Sequence, residues 1–341
     1  MLSQDRFWIG NKMGRTRSVL STLLVLVLIS VSPALGQVSD ARIGVLGAPE
    51  EPRFSELVAG LKHGLRDLGY SEQAIEIVEG RVSRDDRANE RAVVERMMQQ
   101  RIRLLFAIGS RLVTLIRQVS ADLPIVFITP GDPVASGLVV SLARPGSNTT
   151  GMTFEYPELS GKRLELLKEV APRVRRVLVM YDPRDDSPKQ GMEAARDSAP
   201  KLGITLVQRE TRTSQEITQA LKALSDVDAF LAIPGGQPTA HYKEIIQAVN
   251  AKRLPTIFHA RTGSTEEALA SYGANDSDIA RQAARVVDKI LKGTKAGEIP
   301  VERPTKLLFI INLKTAKQIR LTVPPNVLAR ADKVIKVMEE N

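Results

Sequence analysis

The sequence predicts an α/β protein built from two similar units, each a parallel sheet with helices on both faces. Three observations predict it. Short β-branched apolar runs alternate with amphipathic helical stretches. The alternation occurs twice along the chain, without a strict sequence repeat. No Gly/Ser-rich or Pro-rich tether separates the two sets. A chain of 341 residues is also long enough for two domains, at roughly 100–200 residues each.

The first 36 residues read as an export leader. Arg6, Lys12, Arg15 and Arg17 precede an uncharged apolar run over 19–31. That run falls short of the ~20 residues needed to span a bilayer. Ala34 and Gly36 then supply the small residues of a signal-peptidase site, which predicts a signal peptide cleaved after Gly36.

In the first unit, strands are predicted over 42–46, 75–78, 104–108 and 125–128. Helices are predicted over 54–68, 88–100 and 112–119, with Gly69 stopping the first. A strand over 149–154 and a helix over 161–170 join the units. The second unit has strands over 177–180, 204–207, 229–233 and 256–258. Its helices cover 187–202, 214–224 and 240–252. Leu202-Gly203 ends a helix as Leu68-Gly69 does. The chain then runs through Ser271-Tyr272-Gly273, a helix over 277–291, an apolar run over 306–313, a helical turn over 315–319 and a final helix near 327–337. This tail is too short for a third domain and is expected to return to the first two. One lobe would hold 37–154 with about 273–305, the other 155–272 with about 306–341. Several crossings between lobes predict a multi-stranded hinge.

Composition excludes several function classes. There is no cysteine, which removes disulfides, zinc–thiolate and iron–sulfur sites, cysteine nucleophiles and a lipid-attachment cysteine. The three histidines, His63, His241 and His259, lie far apart, against a multi-histidine metal site. The net charge is +9, but basic residues are interleaved with acidic ones and aromatics make up only 4%. Nucleic-acid binders concentrate charge and add aromatic platforms, so no nucleic-acid partner is expected. G-x-S-x-G, P-loop, H-E-x-x-H and G-x-G-x-x-G patterns are all absent. No cofactor and no enzymatic activity are expected. An exported hydrolase would need Ser110 and His259 to meet from different units.

Open parallel sheets bind ligands at the carboxyl ends of their strands. In the first unit those ends carry Gly47-Ala48, Gly109-Ser110-Arg111 and Thr129-Pro130-Gly131-Asp132. Ser110 stands where it could cap the following helix, or help that helix's exposed N–H groups hold a carboxylate. Arg111 would add positive charge or simply be solvated. Asp132 reads equally as a partner for a ligand amine and as an Asx-turn. In the second unit the polar strand-end residues are Asp182, Gln237, His259 and Arg261. His259 reads as a ligand contact or as a structural hydrogen-bonder.

Longer motifs carry a resemblance. Gly64-Leu65-Arg66-Asp67-Leu68-Gly69-Tyr70, Gly131-Asp132-Pro133-Val134-Ala135-Ser136-Gly137-Leu138-Val139 and Ser141-Leu142-Ala143-Arg144-Pro145-Gly146 belong to it. So do Gly161-Lys162-Arg163-Leu164-Glu165-Leu166-Leu167, Val287-Asp288-Lys289-Ile290-Leu291-Lys292-Gly293, Ile311-Asn312-Leu313-Lys314-Thr315-Ala316 and Pro324-Pro325-Asn326-Val327-Leu328. With these, the chain beyond the leader resembles the ABC-transporter substrate-binding proteins related to tryptophan- and tyrosine-binding lipoproteins. The resemblance implies a type I periplasmic-binding-protein fold, with two Rossmann-like lobes, three hinge crossings and a ligand in the cleft. It implies hinge closure on a small solute, delivered to an ABC permease with its ATPase. Ser110 would hold a carboxylate, and Asp132 or Asp182 an amine. Without a lipid-anchor cysteine, a soluble periplasmic monomer is expected. A periplasmic sensor module would use the same fold and cleft.

Overall fold

The computed structural model describes residues 41–47, 52–82, 87–155, 157–259 and 267–336. The expected leader lies outside them. No helix among the described residues is long and apolar enough to cross a membrane.

The first sheet is five-stranded and parallel throughout, in the order β2-β1-β3-β4-β5. Its strands are β1 (Ala41–Gly47), β2 (Ile75–Arg81), β3 (Leu104–Ile108), β4 (Ile125–Pro130) and β5 (Thr149–Glu155). The interior strands β1, β3 and β4 are buried almost throughout. That is why they read as continuous apolar runs and not as alternating ones. Edge strand β2 is only partly buried, exposing Glu76, Glu79 and Arg81, and charges at an edge discourage pairing with another chain. The helices are α1 (Pro52–Asp67), α2 (Arg87–Met98) and α3 (Ser110–Val119).

The second sheet has seven strands in the order β12-β11-β10-β9-β8-β6-β7. They are β6 (Arg176–Tyr181), β7 (Thr205–Glu210), β8 (Ala229–Ala232), β9 (Thr256–Phe258), β10 (Ala270–Gly273), β11 (Leu308–Asn312) and β12 (Lys333–Ile335). Only the β10–β11 pair is antiparallel, with Ala270 opposite Ile311. Helices α4 (Pro157–Val170), α5 (Asp186–Ser198), α6 (Ser214–Lys222), α7 (Gly236–Ala240) and α8 (Tyr242–Ala251) flank it. Each sheet has one apolar core on each face.

The chain passes between the sheets three times: after Glu155, after Gly273 and before Leu308. Helix α9 (Asp276–Leu291) follows the second passage and packs against α1. Glycines make this contact close. A Cβ at Gly60 would lie 2.5 Å from the Ser277 carbonyl oxygen, and one at Gly64 2.5 Å from that of Arg281. Residues 299–302 then cover the outer edge of β5, with Thr150 Oγ1 donating to the Ile299 carbonyl at 2.7 Å and Glu302 N to the Gly151 carbonyl at 2.9 Å.

Most predicted elements appear, with shifted ends. The helix predicted over 161–170 starts earlier, at Pro157, because proline is favoured in a first helical turn. The helix predicted over 187–202 stops at Ser198, where Pro200 turns the chain into a short 3₁₀ segment ended by left-handed Gly203. The helix predicted over 240–252 appears as α8, and the short helix α7 before it occupies part of what reads as the loop 234–237. The final helix predicted near 327–337 is not there. The described residues instead form α11 (Pro325–Leu328), following α10 (Leu313–Ile319), and then strand β12. The reason is a strand partner. Asp332 N donates to the Phe309 carbonyl and Phe309 N to Asp332 Oδ2, both at 2.8 Å, which starts parallel pairing along β11.

Candidate functional site

Four strand ends converge on one cleft of about 450 Å³, a size suited to a small molecule. From the first sheet, the end of β3 supplies Ser110 and Arg111, and the loop after β4 supplies Ser136 and Leu138. From the second, the end of β6 supplies Asp182 and the loop to α5, and the end of β8 supplies Gly236 and Gln237. Along α3, Ser110, Thr114 and Gln118 all line the cleft. Their spacing of four puts them on one helix face. None of the described aromatic residues lines it.

Ser110 does not cap α3. The cap residue is Gly109 (φ 105°), which has no side chain to accept with, and Ser110 is the first helical residue. Its hydroxyl meets Thr129 Oγ1 at 2.6 Å and Ser187 Oγ at 3.3 Å. Ser187 Oγ also donates to the Pro130 carbonyl at 2.7 Å. Thr129 is fully buried, so this hydroxyl cluster is anchored in the first sheet. It joins the two halves of the molecule, because Ser187 belongs to α5.

The loop after β4 makes the same connection. Asp132 N donates to Gln190 Oε1 at 2.7 Å. Gly131 has φ +84°, and a Cβ there would lie 2.8 Å from Ser187 Oγ and 2.9 Å from Gln190 Oε1. Only glycine permits both the backbone turn and the approach. The Asp132 carboxylate is used locally, with Oδ1 accepting from Val134 N at 2.8 Å and Ala135 N at 3.2 Å. This is the Asx-turn alternative.

Asp182 is buried and paired. Arg184 Nε donates to Oδ1 at 2.9 Å and Nη2 to Oδ2 at 2.7 Å. Burial pushes its carboxyl pKa up, but hydrogen bonds from the Arg184 side chain and backbone, the Arg184 charge and the Gln237 backbone outweigh that and hold it below its ordinary value. A ligand amine at Asp182 would therefore share a carboxylate already occupied by guanidinium. Arg111 is likewise paired, bidentately, with buried Glu90 of α2.

The other sequence candidates stand apart. Gly47 ends β1, where a Cβ would lie 2.6 Å from the Phe54 ring, so it serves core packing. His259 is buried at the end of β9 and does not line the cleft. Ala48 and Arg261 lie outside the described residues. Sequence reasoning missed Ser187, Gln190, Arg184 and Asp185. The signal for Ser187 was available, since it opens a helix directly after a strand-end loop. Nothing in the sequence pointed to Gln190, which reaches across from the next position on the α5 surface.

Comparison with known proteins gives this geometry a context. The chain is 26% identical over 276 residues to a tyrosine-binding protein of Clostridioides difficile (strain R20291), covering 81% of this chain and 79% of that one. A conserved domain protein from Vibrio cholerae O1 biovar El Tor superposes with a TM-score of 0.80 at 28% identity, over 87% of this chain and 100% of that one. An ABC domain from Streptococcus pneumoniae, solved in complex with L-Trp, superposes with a TM-score of 0.79 at 24% identity, over the same shares. These neighbours share the type I periplasmic-binding-protein fold of two α/β lobes. The family described as ABC transporter substrate binding protein matches residues 42–335, almost everything beyond the expected leader. A chain with two α/β lobes, a polar cleft between their strand ends and that match belongs to the ABC transporter substrate-binding proteins, and is a binding protein, not an enzyme.

Proposed function

We propose that this protein is the periplasmic receptor of an ABC importer and closes its two lobes around a small carboxylate-bearing solute. One observation carries the reading: the contact between the two lobes, where Gly131 meets Ser187 and Gln190 and the hydrogen bonds Ser187–Pro130 and Asp132–Gln190 form. Such bonds can form only with the lobes together. They would be broken on opening and remade on ligand capture. The moving bodies would be 37–154 with about 273–305, and 155–272 with about 306–341. Tyrosine and L-Trp, named for two relatives, support an amino acid or a related acid as the cargo. The carboxylate would lie near Ser110, and the loaded monomer would dock on a permease with its ATPase.

The test is a thermal-shift and calorimetry screen of the exported protein against amino acids, organic acids and sugars. A ligand at 100 times its Kd should stabilise the fold by about 2.7 kcal/mol. The same ligand should reduce the radius of gyration in solution scattering. The protein recovered from the exported fraction should begin at Gln37. Silence across the whole panel, in protein shown by mass spectrometry to be empty, would overturn the reading.

A further inference from the structure

Neither the cleft nor the cavity of about 60 Å³ beside it is lined by a described aromatic side chain. The reason extends over the whole chain. The single tryptophan, Trp8, belongs to the expected leader. Of the eight phenylalanines, Phe7 does too, and the other seven are buried in the apolar cores. Tyr242 is buried, Tyr181 and Tyr272 pack on a core of the second sheet, and Tyr70 packs on one of the first. Beyond the leader, only Tyr156 among the aromatic residues lies outside the described residues.

The lining of the cleft is polar instead. Among the described residues its purely apolar side chains are Leu115 and Leu138. Thr114, Gln118 and Ser136 line it with side chains that form no hydrogen bond within the protein. Each lobe adds an ion pair, Arg111 with Glu90 and Arg184 with Asp182. Two more carboxylates follow: Asp185, whose Oδ1 accepts from Ser187 N at 3.1 Å, and Asp186, whose Oδ1 accepts from Lys189 Nζ at 3.2 Å. An aromatic ring laid on this surface would strip water from charged and hydrogen-bonding groups and give them no partner in return. A solute with two acid groups would face four carboxylates against two guanidinium groups, and like charges brought together are selected against.

We infer that the cargo is a hydrophilic, non-aromatic amino acid with a single carboxylate, and that Thr114 and Gln118 of α3 read its hydrogen-bonding side chain. The inference rests on the receptor reading above and deepens it. It keeps the amino-acid class that two relatives support, but sets this chain apart from the tyrosine and L-Trp named for them. Thr114 and Gln118 share a face of α3 with Ser110. A carboxylate near Ser110 would leave the rest of the solute along that face. A threonine hydroxyl and a glutamine amide each offer a donor and an acceptor. They suit a hydroxyl, amide or ammonium group and offer an aromatic hydrocarbon nothing.

The experiment measures binding to the exported protein in two ways. Residues 37–341 contain no tryptophan, so the fluorescence anisotropy of L-tryptophan itself reports its binding without background. Calorimetry covers L-tyrosine, L-phenylalanine, L-glutamate and succinate, and the hydrophilic set L-serine, L-threonine, L-asparagine, L-glutamine, L-lysine and L-arginine. The tightest member of the hydrophilic set should outbind every aromatic amino acid and both dicarboxylates by roughly 10-fold or more, the size of one or two hydrogen bonds. Thr114→Val combined with Gln118→Leu should weaken that ligand by roughly 10-fold for the same reason. Both positions are exposed on α3, so the melting temperature without ligand should barely move. An aromatic amino acid that binds as tightly as the best hydrophilic one overturns the inference and leaves the receptor reading standing. So does a preference for L-glutamate or succinate, or an affinity that survives the double substitution. Failure of every compound tells against both.

Discussion

Gly131→Ala separates backbone strain from lobe closure. Gly131 sits at φ +84°, where a Cβ costs about 1–2 kcal/mol in any arrangement of the lobes. The added methyl would also lie 2.8 Å from Ser187 Oγ and 3.0 Å from Ser187 Cα, distances that real Cβ contacts do not reach without movement. Relief requires α5 to draw back, and that breaks the Ser187–Pro130 and Asp132–Gln190 hydrogen bonds. At about 1 kcal/mol each, closure loses about 2 kcal/mol, or about 30-fold in ligand affinity. Gly137→Ala is the matched control. Gly137 also has a left-handed backbone, φ +67°, but nothing lies within 4 Å of its Cβ position. Both variants should melt at lower temperature without ligand. Only Gly131→Ala should weaken binding when titrated with a ligand found in the screen. Equal affinities for the two variants would refute the argument that this contact forms on closure.

Two further outcomes follow from packing and charge. Gly64→Ala should destabilise the fold by about 1–3 kcal/mol in chemical denaturation. In an exposed helix the same change would add up to about 1 kcal/mol of stability, so the sign reports the α1–α9 contact, where the unyielding atom is the Arg281 carbonyl oxygen. Asp182 should contribute stability that depends on pH. Its folded pKa is depressed, so the contribution is present above the unfolded value, about pH 4, and is lost as pH falls through the lower folded value. Melting curves of the unaltered protein and Asp182→Asn should therefore differ most near neutrality and converge in acid. A gap that widens below pH 4 would contradict the assigned ion pair.

The sheet strands were legible because burial on both faces leaves an unambiguous record. Leu104–Ile108 and Ile125–Pro130 could hardly be anything else. Helix stops at Gly69 and Gly203 were legible too, since both adopt positive φ. The end of the chain was not, because β12 is held by an exchange between Asp332 and Phe309, and a partner 23 positions away leaves no local pattern. The site divides in the same way. Strand-end logic led to Ser110, Asp182 and Gln237, which do line the cleft. It also led to Gly47, which packs on the Phe54 ring, and to His259, which is buried outside the cleft. It could not reach Gln190, which enters the site only by accepting from Asp132 N, 58 positions away. Nor could it tell that Asp132 and Arg111 are already engaged by neighbours.

The helix Asp276–Leu291 comes from the last quarter of the chain, yet it completes the core around a strand that begins at Ala41. A growing or translocating chain therefore cannot finish its first lobe until nearly all of it has emerged. Until then the faces of Gly60 and Gly64 and the outer edge of β5 stay uncovered. The second lobe waits in turn for Leu308–Asn312. Interlacing of this kind raises the sequence separation of the decisive contacts, slows folding and makes the two halves finish together. A truncated receptor would not be half a receptor; it would have two unfinished lobes.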